Sequence, residues 1–538
     1  MANPSEAERL KAEGNALFVK NDFSRAYEKF TQAIKHDEEN AILYSNRAAC
    51  SLGLSRVSCS RKLTQATELD PTYAKAWARL ASACGGLDKY QEAITAWRRA
   101  LAVLPVENLT AAQQKQRDLY AGKLAEAINN AERATVYVPA HVTLSIREED
   151  KPWNRASKVL EALIPTNTWN SSAWVMVSAF TNWSTASEMM QHLRVVQTPA
   201  GPGLFGLIGV VEALTNAVIE DTRAFVLTDQ DFFEKYNRQV MVEITKSRAW
   251  TDGSARTVME EAPKRVQSEG WETTRLALSV TVRAWIMRAF IQENLIGGTW
   301  AALDFYTSAI EVIRWGVQRW ADVPVAEKGS IFQPTFLRGV SRLRLDACLK
   351  AYKENPGPSS KMPLSEIFAG ANELLNELAS APDEPTDEHG NPMFLCFTRY
   401  PLAAAHSFLG FYHQHAARNA RQAGCPNAEV SHAFQAAAKA YLQSADIYPQ
   451  DDEKRILTLH FALDALLEAG SPAFEILALM KRIRDDIPVI KRIWEFSADA
   501  VSGRDTELER DMSLRNRLLT RMQEGKIAHD DTVQYGMF

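Results

Sequence analysis

The sequence predicts an all-α protein: helix–turn–helix repeats stacked into a superhelix, followed by a long helical, repeat-like solenoid. Three observations carry that reading. The N-terminal hundred residues repeat with a period of 33 to 34. Apolar residues recur at helical spacing through nearly all of the remainder. No series of alternating apolar and polar residues marks a sheet.

The repeat organises the first part of the chain. Segments 7–40, 41–73 and 74–107 begin 34 and then 33 residues apart, the tetratricopeptide period. In the third, Trp77, Leu80, Ala81, Tyr90, Ala93, Trp97, Ala100 and Pro105 take the large and small positions that two antiparallel helices need. The alanines let backbones approach, the aromatics fill the gap, and Pro105 closes the repeat because it cannot continue a helix. The first segment repeats the scheme with Leu10, Gly14, Phe23, Ala26, Phe30 and Ala33, but has Glu38 where a closing Pro would stand. The second has Tyr44, Ala48, Cys59, Leu63, Ala66 and Pro71, and is one residue short in the turn around Gly53–Val57. Residues 109–135 then show Tyr120, Leu124, Ile128 and Ala131 on one helical face and charge on the other, as a capping helix requires. Residues 1–137 are thus one repeat domain. Cys50, Cys59 and Cys84 fall at packing positions and read as core.

The first helices of such repeats line a groove, so their polar residues are candidates for binding. Lys11 and Asn15 share a helical face at i, i+4, Asn46 lies on the next first helix, and Lys75 and Arg79 share a face of the third. The stretches KAEGN (11–15), YSNRAA (44–49) and YAKAWAR (73–79) resemble the carboxylate-clamp tetratricopeptide domains. That family includes the Hsp organising co-chaperone, the small glutamine-rich co-chaperone, the large immunophilins and one protein phosphatase. The resemblance covers residues 5–135. It implies a clamp of Lys11, Asn15, Asn46, Lys75 and Arg79. The implied ligand is the Glu-Glu-Val-Asp tail of cytosolic heat-shock chaperones of the 70-kDa or 90-kDa class. The chemistry is compatible: three cations and two carboxamides suit a C-terminal Asp with its two carboxylates. Charge-assisted hydrogen bonds contribute about 1.5–3 kcal/mol each. After ordering costs they leave roughly micromolar affinity.

Residues 138–151 carry β-branched residues and prolines and read as a linker or extended strap. Beyond them, 152–500 reads as a helical, tetratricopeptide-like domain, and 501–538 as a C-terminal helix and tail. Helices are expected near 152–164, 171–194, 204–221, 229–248, 254–267 with a kink at Pro263, 271–293, 298–322, 334–353, 363–380, 401–423, 428–447, 453–470, 473–485 and 503–523. Breaks fall at QTPAGPG (197–203), ENPGPSSKMP (354–363), APDEPTDEHGNP (381–392) and YPQDD (448–452).

Composition narrows the function. Basic residues number 61 against 66 acidic, a net charge of −5, which gives no global case for nucleic acid or a membrane surface. No apolar run is long enough to span a bilayer. No secretory signal opens the chain, and six scattered Cys form no C-x-x-C pair. Cytosol, or the nucleus, is the expected compartment. GPGLFG (201–206) matches a dinucleotide fingerprint in form, with Asp229 or Asp231 downstream, but no β-α-β unit surrounds it and HLRVVQTP reads as continuing a helix. His406, His413 and His415 lack metal-ligand spacing. Arg342, Arg344, Lys481, Arg482 and Arg484 read as solvated helix faces, and Trp315 and Trp320 as core. No nucleotide, metalloprotease or hydrolase motif occurs. No catalytic residue, metal or cofactor is therefore expected. The leading expectation is a non-enzymatic adaptor whose helical C-terminal part binds a client, a second partner or itself. The rivals are an enzyme with a helical C-terminal domain tethered to chaperones, and a scaffold for a non-chaperone peptide.

Overall fold

The computed structural model describes residues 4–20, 22–53, 59–85, 90–105, 109–136, 146–198, 201–227, 231–250, 254–380, 394–535 and 537. The chain is all-α and divides into two compact units: 1–141 with 252–258 and 288–308, and 142–251 with 259–287 and 309–538.

In the first unit, α1 (Pro4–Val19), α2 (Phe23–His36), α3 (Ala41–Gly53), α4 (Cys59–Leu69), α5 (Ala74–Gly85), α6 (Tyr90–Ala102) and α7 (Ala111–Val136) pack each against the next. The first helices α1, α3 and α5 also touch in succession, which builds one wall from all three repeats. Asp22 caps α2 by accepting from Arg25 N, and Asp70 accepts from the Thr72 backbone and hydroxyl in the turn before α5. The core follows the large–small pattern. Leu10, Ala26, Phe30, Ala33, Leu43, Tyr44 and Cys50 form one cluster; Leu80, Ala81, Cys84, Ala93, Trp97 and Ala100 form another. Tyr120 of α7 joins the second, its ring 5.3 Å from Trp97, so the cap closes the stack. Cys50 and Cys84 are buried. The Cys59 side chain, the short turn before it and most of the 138–151 strap lie outside the described residues, as does the 381–392 break.

The second unit holds α8 (Pro152–Leu163), α9 (Ser172–Met190), α10 (Val210–Glu220) and α11 (Phe232–Ser247). Parts of α12 (Ala255–Ile291) and α13 (Thr299–Arg319) follow, then α14 (Val325–Lys328), α15 (Pro334–Glu354) and α16 (Leu364–Ala379). It ends with α17 (Tyr400–Gln422), α18 (Asn427–Ile447), α19 (Glu453–Ala469), α20 (Ala473–Trp494) and α21 (Asp505–Gln523). From α15 to α21 each helix packs on its neighbour in sequence, as in a solenoid. α8 returns to α20: Arg155 donates to the carbonyls of Lys491 and Arg492 and pairs with Glu495 at 2.8 Å. A cation thereby satisfies the exposed carbonyl end of a helix.

A buried polar knot locks this closure. Asp451 accepts from Ser172 N at the start of α9 (2.7 Å), and Trp494 donates to the Asp451 carbonyl (2.8 Å). Arg223 pairs with Asp221, Asp452 and Glu453 and lies 3.8 Å over the Trp494 ring. Burial pushes Asp221 up, but the charges of Arg223 and Lys454 overcome it and hold the carboxyl well below its usual range. At the C-terminus, β3 (Ser471–Pro472) pairs with β4 (Thr532–Val533), and the Asp531 and His529 carbonyls accept from the first N–H groups of α20. The tail is the cap that α20 lacks in its own sequence.

Four local expectations are corrected. HLRVVQTP does not continue a helix: Arg194–Thr198 is β1, paired antiparallel with β2 (Gly201–Phe205), with Arg194 opposite Phe205 and its guanidinium 4.9 Å from that ring. GPGLFG is therefore a hairpin strand, and Asp229 lies outside the described residues. The expected kink at Pro263 is absent: the helix passes through Pro263, and the only non-helical residue inside Ala255–Ile291 is Gly270 (φ 79°), in the gap expected between 254–267 and 271–293, a conformation glycine adopts without a Cβ clash. α20 runs on to Trp494. Arg342 is not solvated: it is 4% exposed and donates to the Ile219 carbonyl at 2.6 Å. Trp315 and Trp320, 4.7 Å apart, pack with Trp271 and Phe332. His415 lies against Phe411 and Tyr352, where burial lowers its pKa to about 4. Among the described residues no helix is long and apolar enough to cross a membrane.

Candidate functional site

Three of the five sequence-derived clamp residues are joined by hydrogen bonds across α1, α3 and α5. Asn46 donates to Asn15 Oδ1 at 3.2 Å, and Arg79 donates to Asn46 Oδ1 at 2.9 Å. Arg79 also donates to the Ser45 hydroxyl at 2.7 Å. Ser45 is fully buried and was not singled out from sequence; its only signal there is its place beside Asn46 on the same first helix. The result is a polar chain with Arg79 at its root, aimed by Ser45 and Asn46.

Lys11 and Lys75 flank this chain by helical spacing, one turn from Asn15 and Arg79 respectively. The structure draws neither into the hydrogen-bonded set. Lys11 pairs with Glu8, 2.8 Å away on its own helix, and Glu8 is 62% exposed. An exposed i, i+3 pair of this kind contributes only about 0–1 kcal/mol, so Lys11 exchanges partners readily. Lys75 is exposed.

The electrostatics differ between root and rim. Burial lowers the pKa of Arg79 from its usual value, and the guanidinium remains charged at any physiological pH. Burial raises the Cys50 thiol to about 11 even though Arg79 pulls it down, so Cys50 is an inert neighbour of the site. A partly desolvated guanidinium interacts with an incoming anion more strongly than a solvated one, because water screens it less. The arrangement offers a directed cation and two carboxamides, with two ammonium groups a helical turn away, to a ligand with more than one carboxylate.

No family model matches the chain. The N-terminal part is 46% identical over 96 residues to the heat shock protein sti1 homolog of Schizosaccharomyces pombe, covering 18% of this chain and 16% of that protein. It is 34% identical over 120 residues to the small glutamine-rich tetratricopeptide repeat-containing protein 2 of Saccharomyces cerevisiae, covering 22% and 34%. The chain thus spans about a sixth to a third of the length of these curated relatives. Among solved structures, the second TPR of Spaghetti (RPAP3), bound to the HSP90 peptide SRMEEVD, is 34% identical, covers 19% of this chain and 94% of that one, and has a TM-score of 0.18.

Proposed function

We propose, from the premise that the N-terminal hundred-odd residues are a tetratricopeptide domain homologous to those of co-chaperones, that the protein is a non-enzymatic adaptor for heat-shock chaperones. Its first unit binds the C-terminal Glu-Glu-Val-Asp tail of the 70-kDa or 90-kDa class through Lys11, Asn15, Asn46, Lys75 and Arg79. The observation that carries this reading is the Arg79–Asn46–Asn15 chain, anchored by buried Ser45.

In this reading the two carboxylates of the terminal Asp divide the site. Arg79 and Lys75 hold one and Lys11 the other, while the carboxamides donate without adding charge. Glu8 releases Lys11 as the ligand carboxylate arrives. Support comes from the sequence relatives, one of them named a heat shock protein sti1 homolog and the other a tetratricopeptide repeat-containing protein. The second unit supplies whatever the adaptor delivers to the chaperone.

The test is titration calorimetry of the full chain with a Glu-Glu-Val-Asp peptide. Arg79→Ala and Lys75→Ala each remove one charge-assisted contact and are expected to weaken binding about tenfold or more. Circular-dichroism melts check that the repeats remain folded. Undiminished affinity in Arg79→Ala, with the fold intact, overturns the assignment.

A further inference from the structure

One face of α19 fastens three other elements of the second unit. His460, Asp464 and Glu468 follow at i, i+4 and i+8 and form a stripe along that helix. His460 Nδ1 lies 2.8 Å from Asp511 Oδ2 on α21. Asp464 accepts from the Tyr535 hydroxyl, in the tail beyond β4. Glu468 pairs with Arg421 of α17 at 2.6 Å. α21 packs on α20, so the His460–Asp511 bond ties it to a helix two places back in the chain.

His460 is the member of this stripe whose charge changes near neutral pH. Its second ring nitrogen, Nε2, stands 3.8 Å from Asp464 Oδ2, so one imidazolium faces a carboxylate at each nitrogen. Among the described residues neither Asp464 nor Asp511 forms another ion pair. The His460 and Asp511 side chains are 13% and 8% exposed. They are shielded enough for charge to act strongly, and open enough to trade a proton with water.

The other groups around the ring supply no second counter-charge. Glu507, one turn before Asp511 on α21, is an acid and pairs with Arg510. Arg515, one turn after Asp511, makes no ion pair among the described residues. On the side of α17 and α18, Tyr441 feels Arg418 and Asp464, and burial keeps its phenol protonated. No charge of α20 is among those the ring feels most strongly. Burial works against the imidazolium, but the hydrogen bond and charge of Asp511, with the charges of Asp464 and Glu507, outweigh it and raise the pKa above the usual 6.5. The stability this contributes is complete below the usual value and is lost as the pH rises through the raised one.

We propose that His460 is a proton-operated clasp between α19 and α21, closed while the ring is an imidazolium and loosened when its proton leaves to solvent. The neutral ring can still donate one hydrogen bond to Asp511. Asp464 and Asp511 then face each other without their shared cation, and the repulsion loosens α21 on α19. The tail, which continues from α21 and reaches Asp464 through Tyr535, loosens with it.

The test is hydrogen–deuterium exchange of the full chain at about pH 6 and about pH 8.5, corrected for the intrinsic pH dependence of amide exchange. In the wild type, the protection of α21 is expected to fall several-fold more than that of α15 and α18 between the two conditions. Asp511→Asn keeps the shape and an acceptor for the neutral ring but removes the repulsion, so α21 is expected to stay protected at both. His460→Gln has no proton to lose, and α21 is expected to be loosened at both. The Glu220 carboxyl, raised to about 7 by burial, titrates in the same range but is present in all three proteins, so their difference isolates the clasp. The Asp511→Asn gain at high pH is a result that mere loss of packing does not produce. If α21 is equally protected at both pH values in the wild type, or if Asp511→Asn follows the wild-type profile, the proposal fails.

Discussion

Glu220 shows what burial does to a single carboxyl. Removed from water, with hydrogen bonds from Ser178 and Asn182 offsetting only part of the cost, its pKa rises to about 7 from the usual 4.5. The folded state therefore holds this proton more tightly than the unfolded chain. The stability it contributes is complete below about pH 4.5 and is lost as the pH rises through 7. Glu220→Gln keeps the shape and removes the titration. It is expected to stabilise the protein by about 1–3 kcal/mol at pH 8 and to flatten the stability profile between pH 5 and 8, read by urea unfolding at several pH values. At the candidate clamp, the pairing of Lys11 with Asn15 and of Lys75 with Arg79 on shared helix faces was legible in the sequence, because i, i+4 spacing sets it whatever the tertiary detail. The Ser45–Arg79 bond was not, since it joins residues 34 apart whose approach depends on how α3 meets α5.

At the scale of helices, small residues decide how closely neighbours pack. A Cβ at Gly14 would stand 2.8 Å from Phe30 Cε1, too close for any real contact. Gly14→Ala must separate α1 from α2 and is expected to cost about 1–3 kcal/mol, lowering the melting temperature of the repeats. Gly122 on α7 meets nothing within 4 Å. There the same change is expected to stabilise by about 0.5–1 kcal/mol, because alanine loses less entropy in a helix. The helices themselves were legible from apolar periodicity, and the small–large code of the repeats marked both Gly14 and Phe30, whose contact only the packed helices reveal. β1 escaped because Val195 and Val196 fit a helical run as well as a strand; only pairing with Gly203 and Leu204 decides, and that is non-local. Arg342 was misread because a charged residue among apolar ones looks like a solvated face until a backbone carbonyl from residue 219 is found beneath it.

Over the whole molecule, the chain forms two compact units. The second is closed by α8 meeting α20 and by the acids at 451–453, which gather Ser172, Arg223, Trp494 and Arg504. Arg223→Ala leaves Asp221, Asp452 and Glu453 without their shared cation and is expected to destabilise this unit by about 3–5 kcal/mol, measured by chemical denaturation. None of that closure was visible in the sequence, because residues near 172, 223, 452 and 494 meet only after the solenoid has turned back on its first helix. The chaperone assignment rests on the first unit, and one comparison tests it most directly. The full chain is titrated with a Glu-Glu-Val-Asp peptide bearing its free C-terminal carboxylate and with the same peptide amidated. The account predicts roughly micromolar affinity for the acid and at least tenfold weaker binding of the amide, the loss of one charged contact. Equal affinity for the two forms would contradict it.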